Sequence, residues 1–266
     1  MVWNRMFAVM LRQMYLMRGS VSRVLPLFSW VAVDIVLWGF LTRYLNSVSS
    51  GFNFIPALLG AILLWDFFIR VMQGVTMTFF EDVWSRNFLN YFATPLSISE
   101  YISGLVLSSV ATSAVGLVVM ILMASSLFGL SFATFGLLLI PYLLMLFVFG
   151  IALGVMACAL VMRLGPAAEW FIWPIPALIS PFVGVLYPLS TLPTWMQWVG
   201  HLLPPSYVFE GMREILKGGT PSLSSLVIAA LLNLFILFLG FWAFARTYRH
   251  AVKTGLIARY SAETVS

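Results

Sequence analysis

The feature that most constrains this chain is a series of apolar runs, most of them twenty residues or longer, parted only by brief polar or turn-forming stretches. Runs of that length match the ~30 Å hydrocarbon core of a bilayer when they are helical. In lipid every backbone amide needs a partner within its own segment, which a helix supplies. Six runs can be delimited, at 24–45, 54–80, 101–128, 133–162, 167–187 and 222–245. The expected fold is an all-α integral membrane protein with six transmembrane helices in a single domain over 1–266. The second, third and fourth runs exceed ~20 residues, so they must tilt or project beyond the bilayer. Gly129 and the small polar residues of 125–134 predict a tight turn between the third and fourth runs. Pro174, Pro176 and Pro181 predict that the fifth is bent or broken.

The polar residues are few and unevenly placed. Hydrophobic residues make up 62% of the chain and charged residues 9%, which leaves no room for a separate soluble domain. Arg5, Arg12, Arg18 and Arg23 precede the first run, and Arg246, Arg249, Lys253 and Arg259 follow the last. Arg86 and Arg163 lie in loops that an even-numbered topology puts on that same side. The opposite side has only Arg43, Arg213 and Lys217. This bias predicts both termini in the cytoplasm, and it accounts for the net charge of +5 without nucleic acid. The segment 1–20 is not expected to act as a signal peptide, because Arg12 and Gln13 interrupt it and no small-residue cleavage site follows. Arg5 and Arg12 share a helical face, as expected of an amphipathic helix lying in the membrane interface. A plain basic lead-in to the first span is the alternative.

Several kinds of chemistry are excluded. The two lysines, Lys217 and Lys253, lie outside any G-x-x-x-x-G-K-[ST] sequence, so the chain has no phosphate-binding loop. Cys158 stands alone, and the histidines are His201 and His250, which excludes a disulfide framework and a Cys/His metal site. Both histidines fall outside the runs, so a serine nucleophile at membrane depth would lack a base. The chain is expected to be neither an enzyme nor a binder of a cofactor or metal.

Three stretches remain that carry polar information. Asp34, Asp66 and Arg70 fall inside predicted spans, where charge is costly and normally faces partners or water. Asp66 and Arg70 share a helical face, and Asp34 and Arg70 each lie roughly 15–16 Å above the nearest span end. They form either a polar relay or substrate contact, or a clamp between two helices. The segment 81–100, EDVWSRNFLNYFATPLSISE, is a polar island with a helical pattern, read as a solvated loop or as a docking element for a soluble partner. In 188–221, Pro193, Pro204, Pro205 and Pro221 mark off two short helices on the extracytoplasmic side. The first carries Trp195 and Trp198, suited to headgroup level; the second carries Glu210, Arg213, Glu214 and Lys217. This segment reads as a cap on a pathway or as an exposed loop.

The order of these parts resembles the membrane subunit of ABC-2-type exporters, the group of polysaccharide, nodulation-factor and drug-resistance permeases. The resemblance rests on RNFLNYFATPLSISEYISG at 86–104 and YPLSTLPTWMQWVGHLLPPSYVFEGMRE at 187–214, and extends over about 5–245. It implies a homodimer working with two copies of a separate ABC ATPase subunit, which would hold the ATP and Mg, in a bacterial cytoplasmic (inner) membrane. It further implies that about 81–93 is a coupling helix, with Glu81, Asp82, Arg86, Asn87 and Tyr91 touching the ATPase and Pro95 stopping the helix. Trp195, Trp198, Glu210 and Arg213 would belong to the extracytoplasmic cap. The implied cargo is a lipid, a lipid-linked glycan or a hydrophobic drug. A standalone carrier or channel built on Asp34, Asp66 and Arg70 is the competing reading, and a non-transporting scaffold a third. For self-association, Gly150 and Gly154 supply a G-x-x-x-G spacing.

Overall fold

A computed structural model describes residues 2–48, 55–85, 90–91 and 94–256. Among these the chain is helical and contains no strand. In order, the helices are α1 (Val2–Arg18), α2 (Val21–Val48), α3 (Gly60–Trp84), α4 (Ile98–Phe128), α5 (Leu139–Leu164), α6 (Glu169–Ile172), α7 (Ile175–Val183), α8 (Thr194–His201), α9 (Pro204–Leu216) and α10 (Leu223–Thr254). A π-helical turn, Ile55–Leu59, leads into α3, and a 3-10 stretch, Phe132–Leu138, leads into α5.

Five of the described stretches are long and apolar enough to cross a bilayer: Arg23–Val48, Ile55–Trp84, Ile98–Phe128, Phe132–Leu164 and Leu223–Thr254. They correspond to five of the six expected runs. Most run past the expected bounds, because apolar character ends before helical hydrogen bonding does. The third begins earlier than expected because Ser97 and Glu100 form a capping box, each side chain bonding the other's backbone N–H. It ends at Gly129, whose φ of +67° only glycine adopts readily. The run at 167–187 is the departure. It breaks into the 3-10 turn Pro166–Ala168, α6 and α7. Pro174 and Pro176 open α7, Pro181 lies within it, and Gly184 closes it at φ +69°. Each proline removes a helical donor, so no single long helix can form there.

Contacts along the bundle fix the directions of the helices. Val71 of α3 accepts from Ser109 of α4, and Asp82 accepts from Tyr101, so α3 and α4 are antiparallel. Gly150 of α5 meets Val71, while Cys158 meets the Val75 carbonyl, so α3 and α5 are parallel. Gly240 of α10 lies on Ala152 and Met156 of α5, while Arg163 at the end of α5 shares a surface depression with Arg246, Arg249 and Lys253. Thus α5 and α10 also run parallel. Two consecutive long helices pointing the same way require the chain between them to travel back along the bundle. Residues 165–203 do so, delivering α9 to the far end, where Gly211 packs on Tyr142 near the start of α5.

The core sits where α3, α4 and α5 meet. In the apolar stretches of α3 and α5 61% of residues are buried, against 19% for α2 and 17% for α10, which lie at the periphery. Gly150 and Gly154 explain how α3 and α5 approach so closely. A Cβ at Gly150 would come within 2.8 Å of Val71 Cβ, and one at Gly154 within 2.9 Å of the Met72 carbonyl oxygen. The G-x-x-x-G spacing expected to serve self-association is therefore occupied within the chain itself. Gly154→Val is expected to overpack this seam and destabilise the fold by about 1–3 kcal/mol. Gly19→Ala, whose Cβ would meet only ordinary contact at 3.5 Å, should leave the unfolding midpoint in detergent near that of the parent.

Candidate coupling region and interhelical cavity

The polar end of the bundle is organised by α1. This helix lies along α4, with Val9 pressed against Gly104, where a Cβ would stand only 2.6 Å from Val9 Cβ. Val9 and Gln13 are buried, whereas Trp3, Phe7, Leu11 and Tyr15 point away from the protein. The arginine face is thus turned inward onto carboxylates and carbonyls. Arg5 donates to the Pro95 carbonyl at 2.5 Å and stands 3.5 Å from Glu100. Arg12 donates to Asp82 at 2.7 Å. Arg23, at the start of α2, lies 3.5 Å from Glu81. Three arginines of the N-terminal region therefore hold both flanks of the 81–100 segment.

Asp82 is the centre of this arrangement, with no exposed surface. Besides Arg12, it accepts from Tyr101 at 2.8 Å and from Tyr91 at 3.3 Å. The Tyr91 and Tyr101 rings are 5.1 Å apart, and the Arg12 guanidinium lies 5.2 Å from the Tyr91 ring centre. Burial works to lower the Arg12 pKa, but the Asp82 charge and hydrogen bond outweigh it and hold Arg12 above its ordinary value. Burial first, and then the Asp82 charge, push the Tyr91 hydroxyl up. Tyr91 therefore keeps its proton and acts as a donor. The carboxylate is satisfied by three donors from three parts of the chain, as a buried charge requires.

The residues expected to touch a soluble partner are placed differently from one another. Helix α3 continues to Trp84, so Glu81 and Asp82 sit on its last turn instead of opening a separate coupling helix. That turn points Asp82 inward onto Arg12, Tyr91 and Tyr101, and brings Glu81 to Arg23. Tyr91 is half-buried on Asp82. Arg86 and Asn87, and Ala93 at the expected end of the helix, lie outside the described residues. Thr94 and Pro95 form a turn, as the proline implied. Arg5, Arg12, Glu100 and Tyr101 were not among the expected site residues. The S-x-x-E spacing of Ser97 and Glu100 was a visible signal for the capping box, but nothing local to Tyr101 pointed across to Asp82.

A cavity of about 600 Å³ extends from this end along α3, walled by α1, α2 and α4 and reaching Trp173. Asp34, Asp66 and Arg70, expected to share a helical face or level, do line this one space. Asp66 interacts electrostatically with both Asp34 and Arg70. The Arg70 side chain lies against Gly116 of α4, its Cδ 3.5 Å from where a Cβ would be. Gln13 Nε2, Asp66 Oδ2 and Ser113 Oγ are buried here without a hydrogen-bond partner. From Asp66 to Glu81 the cavity follows α3 for about 22 Å.

The far end of the bundle is closed by α9, which packs against the lead-in turns Ile55–Leu59 and Phe132–Leu138. Phe209 lies 6.1 Å from Trp65 of α3. Glu210 and Arg213 pair at 3.1 Å, and both reach the loop after α7. Glu210 accepts from Leu189 N–H at 2.7 Å, and Arg213 donates to the Gly184 and Val185 carbonyls. Trp195 meets Phe182 edge-on at 6.1 Å, and Trp195 and Trp198 are largely exposed. These two charged residues thus fasten α9 to the loop, while the tryptophans face outward.

Removing the buried carboxylate should cost more than removing its half-exposed partner. Asp82→Ala is expected to destabilise the fold on the order of 3 kcal/mol, because it strands Arg12 and two hydroxyls. Arg12→Gln should cost less, and the double variant less than the sum. Thermal unfolding of the four proteins in one detergent measures the cycle.

A search of the curated proteins finds no match to the chain. The family model described as ABC-2 type transporter matches residues 2–217, from α1 through α9. That span is most of the chain, and it includes the arginine-bound polar end, the cavity and the closing helix. The chain belongs to the ABC-2 type transporter family.

Proposed function

We propose that this chain is the permease subunit of an ATP-driven exporter, moving a lipidic, lipid-linked glycan or hydrophobic drug cargo out of the cytoplasm or inner leaflet. Permeases of this family generally work with a separate ABC ATPase subunit. ATP and Mg would be bound there, since this chain has no phosphate loop. The observation that carries the reading is the arginine-held end of the bundle. Segment 81–100 is bonded on both flanks to α1, and Asp82 ties it to α3 and α4. A push on that segment by a closing ATPase dimer would move these helices together as a body. Arg86 and Asn87, together with exposed parts of the segment, would provide the docking contacts.

The broken segment 166–183 serves as the sixth crossing in this reading. Pro166 to Val183 would span about 27 Å at helical rise, close to the hydrocarbon thickness. With six crossings, the basic ends Arg5 to Arg23 and Arg246 to Lys253 both face the cytoplasm. Helix α1 then lies in the cytoplasmic interface with Trp3, Phe7 and Tyr15 toward lipid. A second copy of the chain would cover part of the exposed surface of α2 or α10. The standalone carrier or channel retains one supporting observation, the cavity around Asp34, Asp66 and Arg70.

Co-expression with the ATPase encoded nearest to this gene tests the proposal. The expected result is a stable complex whose transport in proteoliposomes requires ATP. Transport by the chain alone, without nucleotide or ATPase, would sink it in favour of the carrier. Within the complex, Arg86→Glu should lower transport-coupled ATPase activity while leaving membrane insertion unchanged. Parent-level coupling in that variant would remove Arg86 from the docking surface.

A further inference from the structure

We infer that the cavity beside α3 is a binding site for an amphiphile carrying a single cationic headgroup. The inference rests on the permease reading for its role in transport, but the site itself is argued from the cavity. Three buried polar atoms with no partner, Gln13 Nε2, Asp66 Oδ2 and Ser113 Oγ, come from three different helices and face this one space. Gln13 and Ser113 are 3% and 2% exposed, so bulk solvent does not account for them. Buried polar groups in folded proteins are almost always satisfied, so this convergence marks a pocket polar enough for ordered water or a headgroup. Gln13 Nε2, a donor, calls for water or an acceptor, and the sign of a headgroup is set by the neighbouring charges.

The charges in the cavity select the sign of the ligand. Its ionisable lining residues are Asp34, Asp66, Arg70 and Glu81. Glu81, at the polar mouth, is 3.5 Å from Arg23. Deeper in, two carboxylates face one guanidinium, so a negative charge is in surplus whenever both carboxylates are ionised, and a bound cation favours that state. An unbalanced charge at membrane depth is costly, and a monocation removes the imbalance. Trp30 lies one helical turn before Asp34 on α2 and lines the same space, as does Trp173. Indole faces attract ammonium and phosphonium groups and suit them better than anions.

The remaining lining suits the rest of such a molecule. Met17, Ile69 and Met77 give the cavity apolar, adaptable walls. Its volume of about 600 Å³ falls within the range of sites that hold small ligands. The mouth lies at the polar end, beside α1, where a molecule in the cytoplasmic leaflet would have its headgroup. Ser108 and Thr112 extend the polar wall between mouth and interior.

The test uses the full chain in lipid nanodiscs, with radiolabelled tetraphenylphosphonium as the probe and empty discs as the blank. Three competitors share a dodecyl tail and differ in headgroup: trimethylammonium, sulfate and maltoside. Saturable tetraphenylphosphonium binding is expected, displaced at least ~10-fold better by the trimethylammonium compound than by the other two. Asp34→Asn and Asp66→Asn should each weaken binding roughly 30-fold or more, as truncation of a buried charge contact does. Trp30 is 67% exposed, so Trp30→Ala should fold normally and still lose about 3–10-fold in affinity. Arg249→Gln, outside the cavity, should bind as the parent does. Binding no greater than in empty discs overturns the inference, as does equal competition by sulfate or maltoside. Parent-level affinity in both the Asp66→Asn and Trp30→Ala proteins overturns it as well. ATPase co-purification is unaffected by any of these results, so failure of the cation site and failure of the permease reading are scored separately.

Discussion

The arrangement depends on one buried carboxylate. Asp82 places a carboxylate where it has no exposed surface, at the end of a helix whose other residues are mostly apolar. Such a charge is tolerable only if donors surround it, and here each donor comes from a different element. Arg12 arrives from α1, Tyr101 from α4 and Tyr91 from the connecting segment. Satisfying one side chain therefore fixes three elements relative to α3. The outer arginines, Arg5 and Arg23, extend the same logic to Glu100 and Glu81. Because these two pairs are partly exposed, they add register more than stability.

How much of this could be read from the sequence depended on the range of the interaction. Apolar runs report directly on the solvent, so the five long helices followed from composition along the chain. The prolines at 174, 176 and 181 are local breakers and marked the sixth run as irregular. Asp34, Asp66 and Arg70 could be grouped because helical rise converts residue number into depth. Contacts that cross between elements were not legible in this way. Arg12 and Asp82 are seventy residues apart in sequence, and the spacing of Arg5 and Arg12 defined a face without saying what it meets. The same limit applies to Gly150 and Gly154. Small residues at that spacing announce a close helix neighbour, but the neighbour is α3 of the same chain.

Helix α3 links the two polar regions. Its cavity face bears Asp66 and Arg70, and its final turn bears Glu81 and Asp82. A displacement of the final turn is carried rigidly up the helix, since the seam with α5 is glycine-packed and leaves no slack. The peripheral helix α2, by contrast, supplies Trp30 and Asp34 to the cavity while burying little of itself. The cavity therefore has one stiff wall and one lightly packed wall. Relative movement of the two would change its shape without disturbing the core.

The parallel course of α5 and α10 has a consequence for assembly. Antiparallel neighbours such as α3 and α4 are joined by a short connection and can close as a hairpin soon after both exist. The α5–α10 seam cannot form in that way. Its contact between Ala152 and Gly240 closes a loop of roughly 90 residues, and that loop contains the proline-broken stretch and α9. Loop-closure entropy thus favours completing the other pairings first, with α10 docking after the intervening chain has folded back along the bundle. The helix with the basic C-terminal end is on this argument the closing member of the bundle, and everything needed to hold Asp82 is already in place before it arrives.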